Sequence, residues 1–278
     1  MIAIVTDSAT DIPSDLAAEH AIHVVPALIN IGQQSYRDGI DMTREHFYEW
    51  LPHMPGHPLT SAPSPAAFME TYEEALKHAG QVISVHISSK LSGIYNAARL
   101  AAEEFRGRIH VIDTAQLSMA AGWVALAASQ AVRKGETLEG VLHSIQDVMS
   151  RVRLYAVLNT TEYLARSGRI NMVQAGLTTI FNIKPIIEVR DGMIAGLDRI
   201  RTWSRAVDRL SERVRDLAPL DRLAVMHANT RDAATEFVTR FKDILPGGGP
   251  AVISDVTPAI GVHAGPGALG VAALLARS

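Results

Sequence analysis

Cysteine is absent from the 278 residues, which removes disulfide scaffolds, thiolate zinc sites and cysteine nucleophiles from consideration. Charge of one sign is also scarce. The chain carries 26 basic and 29 acidic residues, a formal net charge of −3, with no run of five or more like charges. Arginine crowds the stretch 199–215, but Asp198, Asp208, Glu212 and Asp216 interleave with it. That pattern describes a solvated helix face laced with ion pairs, so no nucleic-acid partner is expected. No apolar stretch reaches the length of a membrane span; the longest, around Ala120–Ala128, suits a core helix. The N-terminus, Met1 to Asp7, has no basic region ahead of its apolar residues. The expectation is a cytoplasmic protein without stable membrane insertion. Two signatures are missing as well: a GxSxG nucleophile elbow and a GxxxxGK[ST] phosphate loop. His53 and His57 have metal-like spacing, but Pro55 and Gly56 lie between them and prevent one helix from presenting both, so no metal site is expected.

What is present is a chain rich enough in apolar residues, at 47%, to bury a large core. Ile2–Thr6 reads as a buried strand that ends in Asp7-Ser8. Asp11-Ile12-Pro13 opens a helix. Val24–Ile31 reads as one strand, turned back at 32–35 into a hairpin near 26–38 that packs on the second half of the chain. Thr43 starts a helix. The segment 52–65, with five prolines, reads as a long ordered loop. Further helices are expected from Pro65 to His78, Ser92 to Phe105, 116–134 and 137–150, and strands at Gln81–His86 and Ile109–Ile112. This βαβα rhythm implies a parallel sheet covered on both faces. Polar residues follow each strand at Asp7-Ser8, Ser88-Ser89 and Asp113-Thr114, the carboxyl edge where open parallel sheets bind ligands.

After about residue 150 the rhythm changes. Leu154–Leu158, Ile183–Val189, Ile194–Ile200, Leu223–His227 and Val252–Val256 read as strands. Helices are expected after Gly168-Arg169 and at 202–216 and 231–242, and Asp191-Gly192 marks a hairpin. The expected architecture is α/β: a Rossmann-like parallel-sheet domain over 1–151, followed by an α+β domain with a mixed sheet over 152–278.

Four motifs hold candidate chemistry. In Thr60-Ser61-Ala62-Pro63-Ser64-Pro65, Ser64 is the natural helix cap; Thr60 and Ser61 are left as donors for a pocket mouth. In Ile87-Ser88-Ser89-Lys90-Leu91-Ser92-Gly93, Ser92 stands at a helix start, where free N–H groups favour an anion. Residues 265–270 spell GxGxxG, yet only eight residues follow Gly270, too few for a dinucleotide fold. That leaves His263 beside glycines that permit close backbone approach. In Ser167-Gly168-Arg169-Ile170-Asn171, an Arg169 exposed in a loop suits a phosphate or a partner's carboxylate. Asp7, Asp11 and Asp113 offer an alternative, a metal-dependent phosphotransferase or hydrolase. A regulatory module is disfavoured by the acidic balance.

Read together and in order, these blocks resemble the DegV family over nearly the whole chain. The landmarks are Val5-Thr6-Asp7-Ser8, Thr60-Ser61-Ala62-Pro63-Ser64, Ser88 to Tyr95, Asp113-Thr114 with Ser118-Met119, Tyr163-Leu164 with Gly168-Arg169-Ile170, Asn182 to Ile186, and His263 to Gly270. The resemblance departs at Ser167, where glycine is usual, and at Ala264, where threonine is usual. It implies a protein without catalytic activity of its own or a cofactor, holding one long-chain fatty acid such as palmitate or stearate in a buried interdomain pocket. It implies carboxylate contacts from Thr60, Ser61, Ser92, Gly93 and His263. It further implies presentation of that carboxylate to a separate fatty-acid kinase, with Arg169 engaging this partner.

Overall fold

A computed structural model describes residues 1–169, 173–174, 183–245 and 251–277. The first half runs β1 (Ile2–Asp7), α1 (Ser14–Glu19), β2 (Ile22–Val25), β3 (Leu28–Ile31), β4 (Gln34–Arg37), α2 (Arg44–Trp50), β5 (Leu59–Ser61), α3 (Pro65–Leu76), β6 (Gln81–His86), α4 (Ile94–Ala102), β7 (Ile109–Asp113), α5 (Ser118–Arg133) and α6 (Leu138–Arg151). The second runs β8 (Val152–Val157), α7 (Glu162–Arg166), β9 (Val173–Gln174), β10 (Lys184–Arg190), β11 (Met193–Ile200), α8 (Trp203–Arg215), β12 (Leu220–His227), α9 (Arg231–Thr239), β13 (Val252–Asp255), α10 (Pro258–Ala264) and β14 (Leu269–Leu275).

Among the described residues the strands form three sheets. The order β2-β1-β6-β7 is parallel throughout. The order β13-β12-β14-β8-β10-β11-β9 is mixed. The expected α/β architecture, a parallel sheet followed by a mixed one, is therefore the observed one. A small antiparallel sheet, β4-β3-β5, stands apart from both.

That small sheet corrects two expectations. Val24–Ile31 is not one strand. It breaks at Pro26, which has no N–H for the ladder, so β2 stays in the parallel sheet and β3 leaves it. The proline-rich segment 52–65 is not all loop either, because Leu59–Ser61 pairs with β3. The arm built this way packs against α10 of the second half. The helix expected from Ser92 begins instead at Ile94, with Gly93 at its cap. The helix expected after Arg169, with Ile170, Asn171 and Asn182, falls outside the described residues.

Strict alternation along the mixed sheet gives it two buried faces. Val157, Ile186, Val225, Val271 and Ala273 join Leu210, Val214, Phe237 and Phe241 beneath α8 and α9. Their neighbours Leu154, Ile187, Met226, Ala272 and Leu274 face the other way, into a core shared with Ile4, Val82, Trp123 and Val262. The two halves are thus joined by one apolar layer. The arginine-rich stretch lies on the solvent side of α8, where Arg213 pairs with Asp198 at 2.7 Å and Arg209 with Glu212 at 2.8 Å.

Candidate functional site

Between the mixed sheet and the carboxyl ends of β1 and β6 lies an apolar cavity of about 170 Å³. Such a volume admits roughly a dozen water-sized positions, far more than a packing defect holds. Its body is aliphatic: Leu154, Leu158, Ile187, Val189, Ile194 and Met226 line it. Leu154, Ala156 and Leu158 reach it from alternate positions at and just beyond β8. Helix α10 supplies one wall through Ala259, Ile260, His263 and Ala264, a single stripe at helical spacing.

The aliphatic lining is interrupted by polar residues, Ser118 and Glu188 among them, and by the residues expected at the carboxylate. Thr60, Ser61, Ser92, Gly93, Arg169 and His263 all line the cavity. Thr60 sits on β5, His263 on the last turn of α10, and Thr60 Oγ1 lies 2.8 Å from His263 Nε2. Burial pushes the His263 imidazole down to about 3, with Arg169 and His57 adding to the effect. The ring is therefore neutral at physiological pH and has one N–H. With that proton on Nε2 the ring donates to Thr60, whose own hydroxyl proton is then free for an anion; with it on Nδ1, which has no partner among the described residues, Thr60 donates instead.

The other hydroxyls are arranged less uniformly. Successive strand residues point to opposite faces, so Ser61 directs its hydroxyl away from Thr60, accepting from Asn30 Nδ2 at 3.1 Å. Ser92 precedes the cap of α4, and its Oγ accepts from Ile94 N at 3.3 Å. That leaves the Ser92 proton unassigned at the cavity edge. Ser88, by contrast, donates to Gly192 O at 2.7 Å, and Lys90 Nζ donates to Asp191 O at 2.8 Å. The serine-rich block thus divides into a clasp on the β10–β11 turn and a single cavity-lining hydroxyl.

Arg169 is placed by a helix stop. Gly168, with φ +74°, donates to Ala165 O at 3.1 Å, and Arg169 N donates to Leu164 O at 2.9 Å. This pair of bonds is the Schellman termination of α7. Ser167 precedes the left-handed position, with φ −82°, so nothing in the local backbone requires glycine there. Arg169 Nη1 donates to Ser167 O at 3.0 Å.

Gly265, just after α10, has φ +73° and ψ 166°, a conformation open to glycine almost alone. A Cβ there would collide with the Tyr163 ring at Cδ2. Gly265→Ala is therefore expected to cost about 1–3 kcal/mol in urea unfolding, with Tyr163 displaced from the helix end that holds His263.

The metal alternative does not gather. Asp7 accepts from His86 and Ala9, Asp11 from Ser118 and Thr257, and Asp113 from Ser89 and Ala115. Each carboxylate is held locally, and among the described residues no group of three or more His, Asp or Glu converges on one point. His57 packs against Tyr163 with the rings tilted by 56° and their centroids 5.5 Å apart. No described helix is long and apolar enough to cross a membrane.

Two elements of the site are absent from the expectations above. Helix α10 is obscured in the sequence by the glycine pattern that follows it, although Thr257-Pro258 is an ordinary helix start. Strand β14 runs through the middle of the mixed sheet, and its signal is Leu269–Leu275, a continuous apolar run of the kind buried on both faces.

A sequence model of the DegV family, described as uncharacterised, matches residues 1–276. A DegV domain-containing protein of Streptomyces coelicolor is 34% identical over 275 residues, 97% of each chain. Among solved structures, a DegV family protein from Thermus thermophilus, described for its fatty acid binding, superposes with a TM-score of 0.88 at 31% identity over 99% of each chain. DegV of Bacillus subtilis, described as a fatty acid binding protein, gives 0.88 at 30% identity, again over 99% of each chain.

Proposed function

The chain belongs to the DegV family, and on that footing we propose that it holds one long-chain fatty acid in the apolar cavity and presents the carboxylate to a separate fatty-acid kinase. The observation that carries this reading is the pairing of Thr60 with a neutral His263 in the lining of a mostly aliphatic cavity. Burying a methylene contributes roughly 0.8 kcal/mol, so a tail of about fourteen contributes on the order of 11 kcal/mol before the costs of association. The tail supplies affinity. The carboxylate must still be hydrogen-bonded, because an unpaired buried charge is costly, and Thr60, Ser61, Ser92, the backbone at Gly93 and His263 are the groups assigned to it. A grip from neutral donors leaves a carboxylate oxygen free to attack the terminal phosphorus of ATP held by the kinase, with ADP as the leaving group, and without a nucleophile or cofactor from this chain. Arg169, at the cavity edge on a rigid helix stop, is assigned to the kinase contact. In this reading the chain divides between 151 and 152, where α6 ends and β8 begins, and the acid lies between the two halves.

Native mass spectrometry of the purified chain tests the reading. The expected result is a bound mass in the range of C14–C18 acids, with palmitate or stearate as examples. The Ser92→Ala, His263→Ala double variant is expected to release acid roughly ten- to a hundredfold faster with unchanged circular dichroism. An empty wild-type protein with intrinsic ATPase or phosphatase activity would overturn it.

A further inference from the structure

The segment Thr10-Asp11-Ile12 runs between two walls of the cavity. On one side is the start of α5, where Leu117 and Ser118 line the cavity. Ser118 Oγ donates to Asp11 Oδ2 at 2.5 Å. Helix and segment touch at backbone distance, since a Cβ on Gly122 would stand 2.9 Å from Thr10 O. On the other side is the junction of β13 with α10. Thr257 N donates to Asp11 Oδ1 at 2.8 Å, and Ser254 Oγ donates to Asp11 O at 3.0 Å. Thr257 is the cap of α10. One fully buried carboxylate therefore bonds to both walls, one oxygen to each. Burial pushes the Asp11 carboxyl above its ordinary value, while Arg44, Ser118 and Thr257 draw it back.

The backbone departs from common geometry at both ends of the first of these bonds. Asp11 has φ +56° and Ser118 φ +54°, left-handed conformations that non-glycine residues adopt at a cost. Two such residues joined by one hydrogen bond, at the edge of a ligand cavity, mark strain retained for a purpose. The mechanics are direct. Helix α10 packs on α2 at Gly261, where a Cβ would meet Tyr48 Oη at 2.7 Å and Phe47 Cε1 at 2.9 Å. That contact lies two residues before His263 on the same helix. His263 stands on the last turn of α10, so any rotation of the helix about its axis carries the ring away from Thr60. The bond from Asp11 to Thr257 fixes that rotation at the first turn.

We propose that Asp11 is a positioning residue for the bound acid: by tying Ser118 to the first turn of α10 it sets the spacing of the cavity walls and the facing of His263, and so sets how slowly the acid leaves. This rests on the reading of the cavity as a fatty-acid site.

Two variants test it. Asp11→Asn tolerates the left-handed backbone and keeps an acceptor for Thr257, but cannot accept the Ser118 proton on its amide nitrogen. Ser118→Gly suits φ +54° and removes the hydroxyl. Release of preloaded ¹³C-palmitate to albumin is measured at pH 7.5, together with the melting temperature of the acid-free protein and the ¹⁵N shifts of the His263 ring. Both variants are expected to release palmitate on the order of tenfold faster. Their His263 nitrogens should shift, and the melting temperature should stay within about 3 °C of wild type. Wild-type release with wild-type His263 shifts overturns the proposal, as does a lowered melting temperature accompanied by unchanged release. A wild-type protein that takes up no palmitate defeats the fatty-acid reading instead, and the His263 shifts of the acid-free variants then decide the role of Asp11. If the asparagine variant fails to fold, Ser118→Gly alone carries the comparison.

Discussion

Asp7→Ala is expected to lower the stability of the protein by about 3–5 kcal/mol in urea or thermal unfolding, because it leaves several buried donors without partners. Asp7 is wholly buried at the end of β1. His86 Nδ1 donates to Asp7 Oδ2 at 2.8 Å, Ile87 N donates to the same oxygen at 3.3 Å, and Ala9 N donates to Oδ1 at 3.0 Å. The chain of bonds continues: Ser84 Oγ lies 2.6 Å from His86 Nε2, and Tyr72 donates to Ser84 at 2.9 Å. Burial holds the Tyr72 hydroxyl protonated, pushing it up to about 12. Ser84, His86 and Asp7 stand in the order of a hydrolase triad. All three have no exposed surface, and none of Ser84, His86 or Tyr72 lines a described cavity. The network therefore cross-links β1 to β6 and positions the loops that follow them. Asp7→Asn keeps the shape and one acceptor, and its cost is expected to be about 1–3 kcal/mol. A loss below about 1 kcal/mol for the alanine variant would mean that the desolvation of Asp7 cancels the bonds it makes.

The elements legible in the sequence were those with a strong local signal. β1, β6 and β7 announced themselves as apolar runs, the start of α3 by Ser64-Pro65, and the β10–β11 turn by Asp191-Gly192. Thr60 and His263 were legible as candidates from the order of their motifs, yet their contact spans 203 residues of sequence and depends on the arm β3–β5 leaving the parallel sheet. Nothing local encodes that departure except Pro26. Ser61 shows what the motif leaves out. Its motif is shared with Thr60, but the two-residue period of a short strand, invisible when the segment is taken as loop, turns its hydroxyl to Asn30. Asp11 was legible as an acid near a helix start, and its partners Ser118 and Thr257 were not, because a carboxylate bridging 107 residues one way and 246 the other leaves no periodic trace.

Asp38→Asn is expected to stabilise the protein increasingly as pH rises, by about 4 kcal/mol above pH 8 and by little near pH 4. Asp38, 3% exposed, follows β4. Its Oδ2 accepts from Ser8 Oγ at 2.7 Å, while Oδ1 has no hydrogen-bond partner among the described residues. Burial raises its carboxyl from 3.8 to about 7; the negative charge of Asp11 adds to this, and Ser8, Arg44 and the Ala259 N–H oppose it. The raised value fixes the sign. Below 3.8 both folded and unfolded chains hold the proton, and no penalty exists. Between 3.8 and about 7 the unfolded chain has released its proton and the folded chain has not, so folding stability falls with rising pH by up to about 1.4 kcal/mol per unit. Above about 7 the loss is complete. His263 runs the other way: its folded value near 3 means that stability rises with pH up to the ordinary histidine range and is then level. Wild-type stability alone mixes the Asp38 slope with that of Asp11, also raised, and with the opposed slopes of His20, His57, His227 and His263, all lowered. The difference between the Asp38→Asn variant and wild type cancels the histidines and leaves Asp38 together with its coupling to Asp11. The asparagine keeps an acceptor for Ser8 and carries no charge to desolvate. Urea unfolding at pH 5, 6, 7 and 8 measures the difference directly. A gap that widens across this range assigns the slope to Asp38, whereas a gap that stays constant would mean that the carboxyl is ionised throughout and that Arg44 outweighs its burial.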